Sequence, residues 1–257
     1  MNLRVTPVQT NLYWENPTAN LAMLEEKLMG LTNQTDVLIL PEMFTTGFTM
    51  QPQSLAEPMN LTTTRWLRQM ATQTKAVVTG SFIVKESGNY YNRLVWMQPD
   101  GAYYQYDKRH LFRMGGEHEV YTAGNQKLIV EWKGWKICPL ICYDLRFPVW
   151  SRNIHQEYDV LIYVANWPAV REYPWKSLLT ARAIENQSYV IGVNRVGNDG
   201  HGVAHTGASG VIDFKGVWLN SPQNAEVIHT FTLDSTELST FRTHFPASLD
   251  ADSFEIQ

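Results

Sequence analysis

Cysteine is scarce in this chain of 257 residues: there are two, Cys138 and Cys142. Four positions apart in a predicted strand, their Cα atoms stand about 13 Å from each other, beyond the roughly 7 Å that a disulfide tolerates. No disulfide framework therefore holds the fold. An excess of one charge is also missing. Twenty-one Lys and Arg stand against 25 Asp and Glu, a formal charge of −4, and no long basic run occurs, which argues against nucleic acid or an anionic membrane as a partner. No window approaches the ~18 to 20 apolar residues of a membrane span, and the opening stretch MNLRVTPVQTNLYW has no continuous apolar segment. The expectation is a soluble, cytoplasmic protein acting on a small molecule. Linkers rich in proline or glycine, internal repeats and low-complexity tracts are absent too. A chain of this length can bury a sizeable core, and one domain over residues 1–257 is expected.

What is present centres on Trp135 to Pro148, WKICPLICYDLRFP. An apolar run breaks into charge at Cys142, which reads as a buried strand ending in a sharp polar turn. Phe147-Pro148 then places a proline where a helix can begin, since the first helical position needs no N–H. A side chain at such a corner can face a cleft at the carboxyl ends of strands. An isolated cysteine after an apolar run is ordinarily a small core residue. To act as a nucleophile it needs a base for its proton and a cation or amide dipole for the charge that develops.

Other strand ends supply candidates. Leu3, Val5 and Val8 suggest a first strand, short or near an edge because of Pro7. Asn16-Pro17 starts a helix with Leu21, Leu24, Leu28 and Leu31 as its buried stripe. The run VLIL stops at Pro41-Glu42, leaving a carboxylate at the end of a second buried strand. A second amphipathic helix carries Leu61, Trp66, Leu67, Met70 and Ala71. AVVTGSFIV and RLVWMQ form a hairpin around KESGNYYN, and a strand through AYYQY ends just before Lys108. Taken alone, Glu42 reads as a loop acid and Lys108 as a solvated charge.

Residues 113–125, RMGGEHEVYTAGN, show neither helical nor strand period and read as a long functional loop. Its Glu117, His118 and Glu119, with His110, lack any tight ligand pair at helical spacing, so no metal is expected. KLIVEW and WKICPLI pair around Lys133-Gly134, PVWSRNI starts a helix, and DVLIYVANW is an apolar strand ending at Asn166-Trp167. A helix through SLLTARAIENQ carries Leu178, Leu179, Ala183 and Ile184 on its apolar face. The tract GNDGHGVAHTG lacks phosphate-loop spacing, so His201 and His205 read as loop residues. SGVIDFKGVWL and EVIHTFTLD close the strands. From Ser235 a short helix leads to an aromatic tail, about residues 240–257, suited to docking on a second subunit.

Strands outnumber helices and hairpins are many, which favours two mixed sheets face to face with helices outside. LPEMF around Glu42, YDKRHLF around Lys108 and LICYDLRFP around Cys142 resemble, in order, the three catalytic motifs of the nitrilase superfamily, carbon–nitrogen hydrolases. Family-like segments run from the N-terminus to at least Phe214. The resemblance implies an α/β fold, a four-layer αββα sandwich of two mixed β-sheets. CYDLRFPVW and ARAIENQ are most similar to the ω-amidase branch, which hydrolyses the terminal amide of short dicarboxylic monoamides such as α-ketoglutaramate.

That resemblance implies roles. Glu42 would take the proton of Cys142, which attacks the amide carbon to form a thioester and release ammonia. Lys108 and the backbone N–H of Tyr143 would hold the oxyanion. Glu117 matches a second superfamily glutamate that orients Lys108 or the substrate amide. Phe48, Phe112 and Trp167 are candidates for the pocket wall, and Arg113 for the cation that holds a substrate carboxylate. Asp144 and Arg146 are expected to tie down the elbow rather than react. No cofactor is implied, and family members commonly form homodimers. Other readings are an N-carbamoyl or deaminated-glutathione amidase, a Cys-His hydrolase, for which none of the seven histidines occupies a comparable strand end, and an inactive binding protein.

Overall fold

In the computed structural model, which describes residues 1–255, the chain opens with β1 (Asn2–Gln9) and α1 (Pro17–Met29). Asn16 caps α1 by accepting a hydrogen bond from the Ala19 N–H, with Pro17 next in the first turn. Leu21, Leu24 and Leu28 are buried, whereas Leu31 lies beyond the helix end. Then come β2 (Val37–Ile39), the single-turn α2 (Pro52–Leu55), α3 (Thr62–Thr74), β3 (Val77–Glu86), β4 (Asn89–Met97) and β5 (Tyr103–Asp107). β1, β2 and β3 pair in parallel, and β3, β4 and β5 antiparallel. Strand residues alternate faces, so this sheet buries both. Leu38, Val78, Val95 and Met97 pack under α1 and α3, while Val37, Ile39, Val77, Leu94 and Trp96 face the other way into a second core.

The segment expected to be irregular, 113–125, contains a 3₁₀ turn at Arg113–Gly115 and a one-turn helix, α4 (Glu117–Val120). One turn is too short to show a helical period in sequence. The second sheet comprises β6 (Val130–Trp132), β7 (Trp135–Ile141), β8 (Val160–Ala165), β9 (Tyr189–Asn194) and β12 (Gly210–Ile212). Its three central strands β7, β8 and β9 are parallel, with β6 and β12 antiparallel at the edges. After β7 the chain makes a 3₁₀ turn over Cys142–Arg146 and then α5 (Pro148–Ser151), shorter than the helix read from PVWSRNI.

α6 (Glu172–Asn186) covers the outer face of this sheet and begins five residues before the predicted SLLTAR start. Pro174 falls in its first turn, where a missing N–H costs nothing. Its buried face is Trp175, Leu179, Arg182, Ala183 and Asn186, with Ile184 exposed. Arg182 is tolerated there because it donates to the Leu145 carbonyl. β9 has Gly192 where a Cβ would stand 2.5 Å from Leu179, so the close approach of α6 depends on that glycine.

The tract read as a loop with His201 and His205 is a small hairpin, β10 (Val196–Asn198) with β11 (Ala204–Thr206). β13 (Val227–Ile228) and β14 (Phe231–Asp234) return to the first sheet beside β1, and α7 (Ser235–His244) follows. β1 is thus neither short nor at an edge, contrary to the reading of Pro7. Pro7 falls between two separate pairings, residues 2–5 with β14 and residues 8–9 with β13, where no strand demands its N–H. The layers are helices α1 and α3, sheet, sheet, and helix α6. The tail after α7 is largely exposed, with Leu249 82% accessible, and its last two residues lie outside the described region. Among the described residues no helix is long and apolar enough to cross a membrane.

Candidate active site

Three carboxyl strand ends, two in the first sheet and one in the second, deliver Glu42, Lys108 and Cys142 to one hollow between the sheets. Glu42 follows β2, Lys108 follows β5, and Cys142 follows β7. The Lys108 ammonium lies 2.8 Å from Glu42 Oε1, and 3.0 and 2.9 Å from the two oxygens of Glu117. Lys108, Glu42 and Glu117 are all buried. Cys142 lines the same hollow as Lys108, and its thiol feels both the burial of that hollow and the charge of Glu42.

Every carboxylate here is held from several directions. Glu42 accepts from the Asn166 backbone N–H at 2.9 Å and from Asn92 Nδ2 at 2.9 Å, while Asn166 Nδ2 donates to the Glu42 carbonyl. Glu117 accepts from the Phe112 N–H at 2.6 Å and from Asn92. α4 therefore exists to carry Glu117 back onto Lys108. Charge-assisted hydrogen bonds of this number are what a buried ion pair requires to offset desolvation.

The electrostatics follow from burial. Burial by itself would lower the Lys108 pKa, but the Glu117 and Glu42 carboxylates outweigh it and hold the group as an ammonium. Burial raises the Glu117 carboxyl, with Lys108 pulling it back and Glu42 adding to the rise. Burial and then Glu42 push the Cys142 thiol well above its ordinary range, only partly offset by Lys108. The resting sulfur is a protonated thiol, so attack needs a base within reach, and Glu42 is there.

Backbone conformation aims the two reacting groups. Cys142 has φ +43°, and Met43, directly after Glu42, also has φ +43°. Left-handed conformations at non-glycine residues cost about 1 to 3 kcal/mol and persist where the surroundings fix them. At Met43 the N–H donates to Ser81 Oγ. At the Cys142 turn the anchor is Asp144, which accepts from the Ile141 N–H and the Tyr106 hydroxyl on one oxygen, and from the His110 N–H with His110 Nδ1 on the other. Tyr106 and His110 flank Lys108, so one carboxylate ties the lysine's turn to the cysteine's. This is the tethering role expected of Asp144.

The hollow opens into a cavity of about 610 Å³. Phe48, Phe112, Tyr143 and Trp167, all expected near substrate, line it with Lys108 and Cys142. Arg113 does not: it is exposed and outside the lining. The 3₁₀ turn that turns Phe112 inward points its neighbour outward. Arg146, expected only to brace the elbow, lines the cavity instead, as does Arg171. Glu119 is exposed and His110 is committed to Asp144, so the residues considered for a metal diverge. Sequence reading missed Asn92, whose polarity beside a hairpin turn looked like turn chemistry, and gave Asn166 no role. It also missed the β10–β11 hairpin, which supplies Asp199, His201 and His205 to one wall.

A profile of the carbon–nitrogen hydrolase family matches residues 4–243. The chain is 46% identical over 261 aligned positions to the omega-amidase YafV of Escherichia coli strain K12, covering 99% of this chain and 98% of that one. It is 32% identical to the 2-oxoglutaramate amidase of Bacillus subtilis strain 168, covering 96% of each. The crystal structure of XC1258 from Xanthomonas campestris, a CN-hydrolase superfamily protein with an arsenic adduct in its active site, superposes with a TM-score of 0.98 at 44% identity over 100% of both chains. Motif order, two-sheet architecture and full-length similarity agree: the chain belongs to the carbon–nitrogen hydrolase family, within the nitrilase superfamily.

Proposed function

We propose that this enzyme is an ω-amidase, hydrolysing the terminal amide of a short dicarboxylic monoamide of the α-ketoglutaramate type to the acid and ammonia. The carrying observation is the buried constellation in which one ammonium, Lys108, bridges Glu42 and Glu117 and lines the same cavity as Cys142. The names of the similar E. coli and B. subtilis enzymes support the choice of substrate class.

In this reading Glu42 accepts the thiol proton as the sulfur bonds to the amide carbon, and the carbonyl electron pair moves onto oxygen. The Lys108 ammonium and the Tyr143 backbone N–H hold that oxyanion, a contribution often the largest in acyl transfer. As the tetrahedral adduct collapses, Glu42 returns its proton to the departing nitrogen, the C–N bond breaks and ammonia leaves. Glu42 then deprotonates a water that attacks the thioester. The C–S bond breaks, and the sulfur recovers its proton. Glu117 keeps Lys108 charged and aimed without entering the bond changes. A homodimer accompanies the reading, and light scattering measures it.

The test is ammonia release from α-ketoglutaramate, with intact-mass detection of the acyl-enzyme. Wild type is expected to show both, and Cys142→Ala neither. A wild-type protein that forms no acyl-enzyme with any small amide overturns the proposal.

A further inference from the structure

The cavity wall carries more positive charge than the reaction at Cys142 uses. Besides Lys108, two guanidinium groups line it, Arg146 and Arg171. Neither has a carboxylate within ion-pair distance among the described residues. Each instead lies over an aromatic ring of the same wall: Arg171 is 5.6 Å from the Phe112 ring centroid, and Arg146 is 5.1 Å from that of Trp167. Stacking occupies the face of a guanidinium and leaves its in-plane N–H groups to meet an anion; of those of Arg171, Nη2 donates to the Met114 sulfur at 3.3 Å, a weak acceptor that a carboxylate would displace. The Arg171 backbone is also pinned, because Trp167 Nε1 donates to its carbonyl at 2.7 Å.

The other polar groups of this wall do not compete. Asp199 is the one acid of the lining, and its Oδ1 accepts from the N–H groups of His201 and Val203. His205 is held neutral, its pKa brought down to about 4 by burial and then by Arg195. Asn166 Nδ2 is taken by the Glu42 carbonyl and the His201 ring packs edge-on against Trp14, and the remaining wall is Met, Phe, Tyr, Trp, Val, Pro, Ala and Gly.

Resting on the ω-amidase reading and deepening it, we infer that Arg171, with Arg146 beside it in the lining, is the subsite for the free carboxylate of the substrate. A monoamide enters with its amide toward Cys142 and its carboxylate toward these guanidiniums. Neutral amides forgo that contact, and amides of α-amino acids place an ammonium against like charge.

The test pairs glutaramate, which has a carboxylate, with valeramide, a neutral amide of the same chain length, in wild type, Arg171→Met and Arg171→Lys. For Arg171→Met the KM for glutaramate is expected to rise about tenfold or more with kcat changed less than about threefold, the scale of one charge-assisted hydrogen bond. Valeramide kcat/KM is expected to fall much less than that of glutaramate, and Arg171→Lys to recover part of the glutaramate loss. Calorimetric binding of glutarate, which needs no turnover, should weaken in parallel in Arg171→Met. An equal loss on both amides, an unchanged glutaramate KM, or the same KM effect from Arg113→Ala would overturn the subsite. If wild type turns over neither amide, the function fails, and glutarate binding still decides the subsite: equal affinity in wild type and Arg171→Met overturns it.

Discussion

The floor and the rim of the cavity are built on opposite principles. At the floor, Glu42, Lys108, Glu117 and Asn92 are buried and pair with one another, Glu42, Lys108 and Asn92 at strand ends or within a strand and Glu117 on the one-turn α4. At the rim, Arg146, Arg171 and the β10–β11 hairpin lie on turns and loops, and the arginines meet aromatic faces rather than carboxylates. Charges buried without water must be mutually satisfied, whereas charges meant for a ligand must be left without a partner. On the proposed ω-amidase reading, the floor carries the bond chemistry and the rim selects the molecule that receives it.

The largest way to break this comparison is at the sulfur. Cys142→Ala should lower kcat by at least about 10⁴-fold while thermal unfolding shows a folded protein. A residual rate near wild type would locate the nucleophile elsewhere. Glu117→Ala removes two of the contacts of a buried ammonium, and breaking such a pair costs about 3 to 5 kcal/mol. Denaturant unfolding should report that loss together with a fall in kcat. A stability change within about 0.5 kcal/mol would mean that the floor is less interdependent than its hydrogen bonds imply.

Asp144→Asn sharpens the distinction between aiming and reacting. It leaves a near-isosteric group but removes the charge that gathers Ile141, Tyr106 and His110. A drop of about 10- to 100-fold in acylation, with an unchanged pH profile, fits a positioning residue whose misplacement costs geometry. A displaced acidic limb would instead make it a proton carrier.

The smallest effect concerns the rim and acid. His205 is depressed from 6.5 to about 4, so below pH 6.5 the unfolded chain binds a proton that the folded protein refuses. Stability is then lost as pH falls from about 6.5 toward 4, by up to about 3 kcal/mol. In His205→Asn the decline in melting temperature between pH 7 and pH 5 should be shallower than in wild type. Equal slopes would show that His205 takes up its proton in the fold.

Much of the fold could be read because its strands are apolar runs stopped by charge, and its long helices carry leucines at helical spacing. α1 begins at Asn16-Pro17 as expected, and β7 ends at the thiol. What failed was short or context-bound. α4 is a single turn and β10 and β11 are three residues each, below the length at which periodicity accumulates. Pro7 was misjudged because a gap between two partner strands appears in no local pattern. Arg182 is absent from the apolar face read for its helix, and its burial depends on a carbonyl that another segment brings.

By itself the sequence determined the reactive types and their places at the ends of buried runs, since local hydrophobic patterning decides where a strand must stop. It did not determine that Asn92 joins Glu42 to Glu117, that Asp144 joins two turns, or that Arg171 and Arg146 rather than Arg113 face the cavity. Those are relations between segments dozens of residues apart. The direction of a side chain from a turn depends on φ and ψ set by tertiary hydrogen bonds, and only the packed sheets fix them.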